Sequence, residues 1–172
     1  LGHLYDEDVA KARAAARAFG WLMAAELRAV DIDLSFAPVV DLDLGLAEVI
    51  GDRALHPDAT IVSELVIEFA EGVQAAGMAV VAKHFPTHAG AVNDSHTNCA
   101  TDGRTYNDLW DDLDPYRHLI SAGLPGVMVG HVSFPEVDPS PASLSSWWIR
   151  EQLRGQLGFA GAVLSDDVTM EG

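Results

Sequence analysis

Four near-continuous apolar runs, each ending in a polar cluster, alternate with four helix-like stretches along this 172-residue chain. The runs are Ile32 to Val40, Met78 to Ala82, Gly126 to Val132 and Ala162 to Ser165. The polar residues at their ends are Asp41 and Asp43, Lys83 and His84, His131, and Asp166 and Asp167. Runs this short and apolar read as buried strands. Between them, helical periodicity predicts helices over Tyr5 to Val30, Pro57 to Ala76, Tyr106 to Ala122 and Ser143 to Leu157. Pro57 suits a first helical turn, Gly123 a helix end, and Ser143 or Ser145 an N-cap.

Apolar strands separated by amphipathic helices imply an α/β protein with a parallel sheet covered on both faces. A barrel and a doubly wound sheet both satisfy that. Polar groups contributed by every strand end to one common face favour the (β/α)8 TIM barrel. Such a barrel usually takes about 250 residues. Four units therefore predict that residues 1–172 are part of a single TIM-barrel catalytic domain, with N- and C-terminal parts of the barrel outside this stretch. Asp138-Pro139-Ser140-Pro141 reads as a short stiff turn rather than a domain boundary.

Composition narrows the partners. The formal net charge of −16 disfavours nucleic acid, whose phosphates need a basic face, and anionic membrane surfaces alike. No apolar stretch reaches the roughly 18–20 residues that span a bilayer. Cys99 is the sole cysteine, so no internal disulfide forms. That fits a reducing compartment, and the expected location is cytoplasmic.

The chemistry-bearing residues concentrate between Lys83 and His96. His84 and His88 have the i, i+4 spacing of a helical metal pair, but Pro86 between them and Gly90 after them argue against a helix. A loop-built zinc or iron site with His96 and Asp94 stays an alternative, while the preferred reading has no metal. Asp94 and His96 flank one serine. A turn there would let the carboxylate fix the imidazole tautomer for acid/base work, although spacing alone favours a plain Asx turn. Asp166 can be a nucleophile, a base, a metal ligand or a helix N-cap. Its neighbour Asp167 should point the other way on an extended chain. Arg53, in the turn Gly51-Asp52-Arg53, could bind an anionic or hydroxyl-rich ligand, but a surface arginine is the commoner outcome. Trp147 and Trp148 read as packing.

Several segments, taken in order, resemble glycoside hydrolase family 3. They are Phe36-Ala37-Pro38-Val39-Val40-Asp41-Leu42-Asp43, Ile50-Gly51-Asp52-Arg53, Ala82-Lys83-His84-Phe85-Pro86, Asp94-Ser95-His96, Gly130-His131-Val132, Asp138-Pro139-Ser140-Pro141-Ala142-Ser143 and Leu164-Ser165-Asp166-Asp167-Val168-Thr169-Met170. Within that family the chain looks most like the bacterial β-N-acetylhexosaminidases of the NagZ type, which recycle cell-wall fragments. The resemblance implies a TIM barrel and a retaining double displacement on small carbohydrates, N-acetylglucosaminyl muropeptides, without a cofactor and as a monomer. Asp166 matches the nucleophile, His96 the acid/base and Asp94 its partner. Most retaining glycosidases use two carboxyl groups about 5–5.5 Å apart; here a histidine stands for one of them. Arg53, Lys83 and His84 match residues that bind the sugar, and His131 and Met170 are expected to line the site.

The chain departs from the family at Thr87 and Ala89, where two glycines usually stand. Glycine permits backbone angles these residues resist, so either the loop takes another path or the positions need no positive φ. A β-glucosidase or β-xylosidase, a phosphorolytic variant, and a non-catalytic sugar-binding half-barrel are the competing readings.

Overall fold

The computed structural model describes residues 1–92 and 100–169. Its main sheet has four strands: β1 (Leu34–Ser35), β2 (Ala79–Phe85), β3 (Gly126–Val129) and, last in the chain, β6 (Ala162–Ser165). Every ladder is parallel and the spatial order is β1-β2-β3-β6. Each sheet strand therefore lies beside the next one in sequence, with no reversal of winding. A doubly wound sheet reverses at its switch point, whereas a (β/α)8 barrel never does. The described strands follow the barrel pattern.

Local chemistry sets the element bounds, and it moves several of the predicted ones. The long first helix is two pieces, α1 (Gly2–Glu7) and α2 (Val9–Arg28). Asp8 divides them: its backbone is extended and its carboxylate caps Lys11 N–H at 3.0 Å. The predicted strand Ile32 to Val40 keeps a regular ladder only at β1. Pro38 has no N–H to give, so the remainder pairs irregularly with β2, through Val81 N–H to Ala37 O and Val40 N–H to Lys83 O at 2.8 Å. Helix α3 (Ala59–Ala75) is capped by Asp58, which accepts from Thr60 N–H at 2.8 Å. Pro57 thus precedes the cap instead of occupying the first turn.

Strand β2 runs three residues beyond Ala82, so Lys83, His84 and Phe85 are strand residues. In 106–122 only α4 (Asp114–Ser121) is α-helical. Asp108 binds the N–H and hydroxyl of Thr105, a local side-chain turn that competes with a helix start. Strand β3 stops at Val129 and not at Val132. Beyond it the chain forms a small antiparallel ribbon, β4 (Ser133–Phe134) with β5 (Asp138–Pro141), so the proline-rich turn is also a short strand. Pro139 and Pro141 are tolerated there because β5 is an edge strand of this two-stranded ribbon, paired only with β4 among the described residues. The last helix is confined to Trp147–Gln156 and has π-type winding. Ser145 Oγ accepts from Trp148 N–H at 3.1 Å, as its place before the helix suggested.

Helices α2 and α3 pack with their backbones almost touching. A Cβ on Gly20 would lie 2.1 Å from Phe69 O, and one on Gly72 would lie 2.1 Å from Arg17 O. Glu68 bridges the same pair, accepting from Arg13 Nε at 2.9 Å and Arg17 Nε at 2.8 Å. The main core joins α3, β2 and β3 to the last helix through Val66, Val80, Phe85, Val127, Phe134 and Trp148. Trp148 is fully buried as packing, with Phe134 and Phe85 rings 5.2 and 6.1 Å away. This core anchors β2 and β3 while their C-terminal ends stay available for polar groups.

Candidate active site

The C-terminal ends of the sheet strands bring four charged or titratable side chains together. Asp41 ends the chain segment paired to β2, Lys83 and His84 belong to β2, and Asp166 directly follows β6. His84 lies between two carboxylates. Its Nδ1 is 2.8 Å from Asp41 Oδ2, and its Nε2 is 3.9 Å from Asp166 Oδ2. A carboxylate can only accept, so Nδ1–H donates to Asp41. The other Asp41 oxygen accepts from His88 N–H at 2.7 Å. Burial would push the Asp41 carboxyl up, but the charge and hydrogen bond of His84 and the His88 N–H together hold it below the usual carboxylate range. Asp41 is thus an ionised, buried post that sets the ring of His84.

Asp166 is itself oriented by backbone. Its N–H donates to Val129 O at 3.1 Å, continuing the β3–β6 ladder. Its Oδ1 accepts from Asp167 N–H at 2.9 Å, leaving Oδ2 on the side of His84. The Asp167 carboxylate points elsewhere: it accepts from the N–H and hydroxyl of Thr169 at 2.8 and 2.7 Å, a local side-chain turn. Lys83, half-buried, is lowered below the ordinary lysine value by burial, with Asp166 opposing and the positive charge of Arg53 reinforcing the shift. Among the described residues, neither Lys83 nor Arg53 forms a salt bridge with a carboxylate. Arg53 sits on the short 3-10 turn Gly51–Arg53 and is steadied by Val49 O at 2.6 Å and Ile50 O at 3.3 Å. Two cationic side chains without carboxylate partners beside a carboxylate suit a polar, hydroxyl-rich ligand.

Of the predicted site residues, Lys83, His84 and Asp166 come together, and Arg53 is near enough to shift Lys83. His131 stands apart, bonded to Ser143 Oγ at 2.7 Å and Asp167 O at 3.2 Å. Asp94, His96 and Met170 lie outside the described residues. His88, the most metal-like residue of the sequence, is buried with its ring 5.7 Å from that of His84, and burial pushes it below the ordinary histidine value. Among the described residues no three histidine, cysteine or acidic side chains converge as a metal site. Sequence reading gave Asp41 no role; its place at a strand end was the available signal.

A second charged cluster holds the chain on both sides of residues 93–99. Thr87 Oγ1 donates to Asp112 Oδ1 at 2.6 Å, and Arg104 binds Asp102 at 2.7 Å and Asp112 at 2.9 Å. Gly90 makes room for it, since a Cβ there would lie 2.4 Å from Asp102 Oδ2. Neither Thr87 nor Ala89 has positive φ, so these departures from the family pattern need no left-handed backbone. Thr87 adds a hydrogen bond that glycine could not make, and its hydroxyl also accepts from Ala89 N–H at 3.0 Å.

Known proteins resemble the chain in sequence and in fold. The beta-hexosaminidase of Thioalkalivibrio sulfidiphilus is 49% identical over 172 residues, covering 100% of this chain and 50% of the relative. That of Aromatoleum aromaticum is 47% identical over 173 residues, with 100% and 49% covered. Among solved structures, NagZ from Neisseria gonorrhoeae in complex with N-trifluoroacetyl-D-glucosamine superposes with a TM-score of 0.94 at 42% identity, over 99% of this chain and 50% of the other. A family 3 β-N-acetylglucosaminidase from Paenibacillus superposes with a TM-score of 0.88 at 38% identity, over 92% and 31%. The chain spans about half the length of the curated relatives it matches. The family model described as "Glycosyl hydrolase family 3 N terminal domain" matches residues 4–172, and the chain belongs to that family.

Proposed function

We propose that the protein containing this chain is a retaining exo-β-N-acetylglucosaminidase that removes terminal N-acetylglucosamine from peptidoglycan-derived muropeptides. The observation that carries the reading is Asp166. Its carboxylate follows a barrel strand, one oxygen is held by the Asp167 N–H, and the other faces His84 beside the ammonium of Lys83. Relatives named beta-hexosaminidase, and a NagZ structure holding an N-acylated glucosamine, support the sugar class.

In this mechanism Asp166 attacks the anomeric carbon, and the glycosidic C–O bond breaks as a glycosyl ester forms. His96, paired with Asp94, protonates the departing oxygen. It then takes a proton from the water that cleaves the ester and regenerates Asp166. Arg53, Lys83 and His84 hold the sugar. His84 is pre-set for this by Asp41, which keeps its Nε2 towards the reacting face. A preorganised polar site needs little rearrangement as charge develops. The reaction uses no metal or organic cofactor. A monomeric, cytoplasmic enzyme is part of the same proposal, in line with a single cysteine. Among the described residues no helix is long and apolar enough to cross a membrane.

The test is hydrolysis of a chromogenic N-acetylglucosaminide against the corresponding glucoside by the full-length protein, with Asp166→Ala and His96→Ala. Expected are preference for the N-acetylated sugar, near-complete loss in Asp166→Ala, and partial rescue of glycosylation in His96→Ala by an activated phenol leaving group. Unchanged activity in Asp166→Ala would overturn the nucleophile assignment.

A further inference from the structure

His131 was expected to line the sugar site, yet both of its ring nitrogens are committed to the protein. Nε2 lies 3.2 Å from Asp167 O. A carbonyl oxygen only accepts, so Nε2 carries a hydrogen. Nδ1 lies 2.7 Å from Ser143 Oγ, whose hydroxyl can donate to it. Ser143 is in turn fixed to the end of β3: its N–H donates to Gly130 O at 3.1 Å, and Ala142 N–H donates to Val132 O at 2.9 Å. The β4–β5 ribbon returns the chain from His131 to Ser143, twelve residues later, and so closes this link.

The link reaches the nucleophile through one residue. Among the described residues, bonds hold Asp167 at three of its groups. Its N–H donates to Asp166 Oδ1 at 2.9 Å, its carboxylate binds Thr169, and its carbonyl accepts from His131. The first two bonds are internal to the turn after β6. The His131 bond comes from the neighbouring strand end and ties that turn to β3. Turning Asp167 would swing the N–H that orients the Asp166 carboxylate.

We propose that His131 is a positioning residue, acting with Ser143 to hold the Asp166–Asp167 turn, and not a sugar ligand. The proposal rests on the reading of Asp166 as nucleophile. A carboxylate displaced by about 1 Å from its attack geometry costs on the order of 10²-fold in rate, while sugar affinity set by other side chains stays as it was.

The experiment uses the full-length protein with His131→Ala, His131→Gln, Ser143→Ala and, in parallel, Asp166→Ala. It measures kcat on a chromogenic N-acetylglucosaminide and the inhibition constant of free N-acetylglucosamine. His131→Ala is expected to lose on the order of 10²-fold in kcat with the inhibition constant unmoved. His131→Gln, whose amide N–H can reach the Asp167 carbonyl, should recover most of that loss. Ser143→Ala should lie between. Nitrogen-15 NMR of the unaltered protein, which needs no variant to fold, should show His131 with a protonated Nε2 and a bare Nδ1. Weakened N-acetylglucosamine binding in step with the rate loss, full activity in His131→Ala, or a bare Nε2 would each overturn the proposal. Activity surviving in Asp166→Ala would instead remove the nucleophile reading on which it stands.

Discussion

Two charged clusters lie close in sequence and differ in how their charges are matched. In the Arg104 cluster, a clamp on the chain around it, one guanidinium meets the carboxylates of Asp102 and Asp112, and Thr87 supplies a further donor. Side-chain exposure is 23% for Arg104, 1% for Asp102 and 3% for Asp112. Burial opposes the charge on Arg104, but the two carboxylates outweigh it and raise its basicity further. At the strand ends the matching is incomplete. Asp41 and His84 satisfy each other, but Lys83 and Arg53 have no carboxylate partner among the described residues, and His84 Nε2 stops 3.9 Å short of Asp166. A closed charge cluster holds backbone in place. An open one keeps its hydrogen-bonding capacity for a ligand and does so at some cost to the fold. Perturbed, incompletely paired groups at strand ends are what a catalytic site requires.

That contrast gives experiments that can break it. The largest expected effect is Asp166→Asn: activity should fall by roughly 10⁴-fold or more, as for loss of a nucleophile, while thermal unfolding of the purified full-length protein stays where it was. A lower melting temperature with retained activity would put Asp166 on the structural side. Next is Arg104→Ala, which strands two buried carboxylates. Urea unfolding should show a loss of about 3–5 kcal/mol, and an unchanged midpoint would mean the clamp holds nothing. Third is Asp41→Asn, which replaces an acceptor by an amide next to His84 Nδ1–H. A drop in kcat of about 10–100-fold is expected, the size seen when an orienting partner is lost.

Asp41 also has a pH signature. Its folded pKa is depressed, so its stabilisation is fully present above the unfolded carboxyl value of about 3.9 and is lost as pH falls through the lower folded value. Stability measured below about pH 4 should therefore fall less steeply in Asp41→Asn than in the unaltered protein. The smallest effect is on the fold in Lys83→Met. Burial lowers the lysine pKa, so carrying the charge costs more in the folded state than in the unfolded one. The variant should lose turnover yet melt at the same temperature or slightly higher. A clear drop in melting temperature would show that Lys83 is a structural cation after all.

Legibility in the sequence followed the range of the interactions. Strand-end groups such as Lys83 and Asp166 were readable because an apolar run followed by a charged residue is a local pattern. Asp41 was visible as a residue but not as a partner: it meets His84 across 43 positions of sequence, and that pairing exists only once the irregular segment after β1 lies beside β2. The predicted helix over 106–122 shrank to α4 because Thr105 and Asp108 bond each other, a competition that periodicity does not register. Thr87 read as a weakness in the family analogy, since nothing local announces that Asp112 stands 2.6 Å from its hydroxyl. His131 read as a lining residue, and nothing local announced its bond to Ser143, which returns to it only through the β4–β5 ribbon.

The amino-acid order alone determined the alternation of strand and helix, the polar residues at strand ends and, through ordered motifs, the family. These depend on hydrophobic periodicity and residue identity, which are properties of short windows. Only the tertiary structure decided which side chains share a charge, which are satisfied and which stay open. Those outcomes depend on distance and burial between segments far apart in the chain. They separate Asp41 from Asp43, Asp166 from Asp167, and the closed Arg104 cluster from the open strand ends.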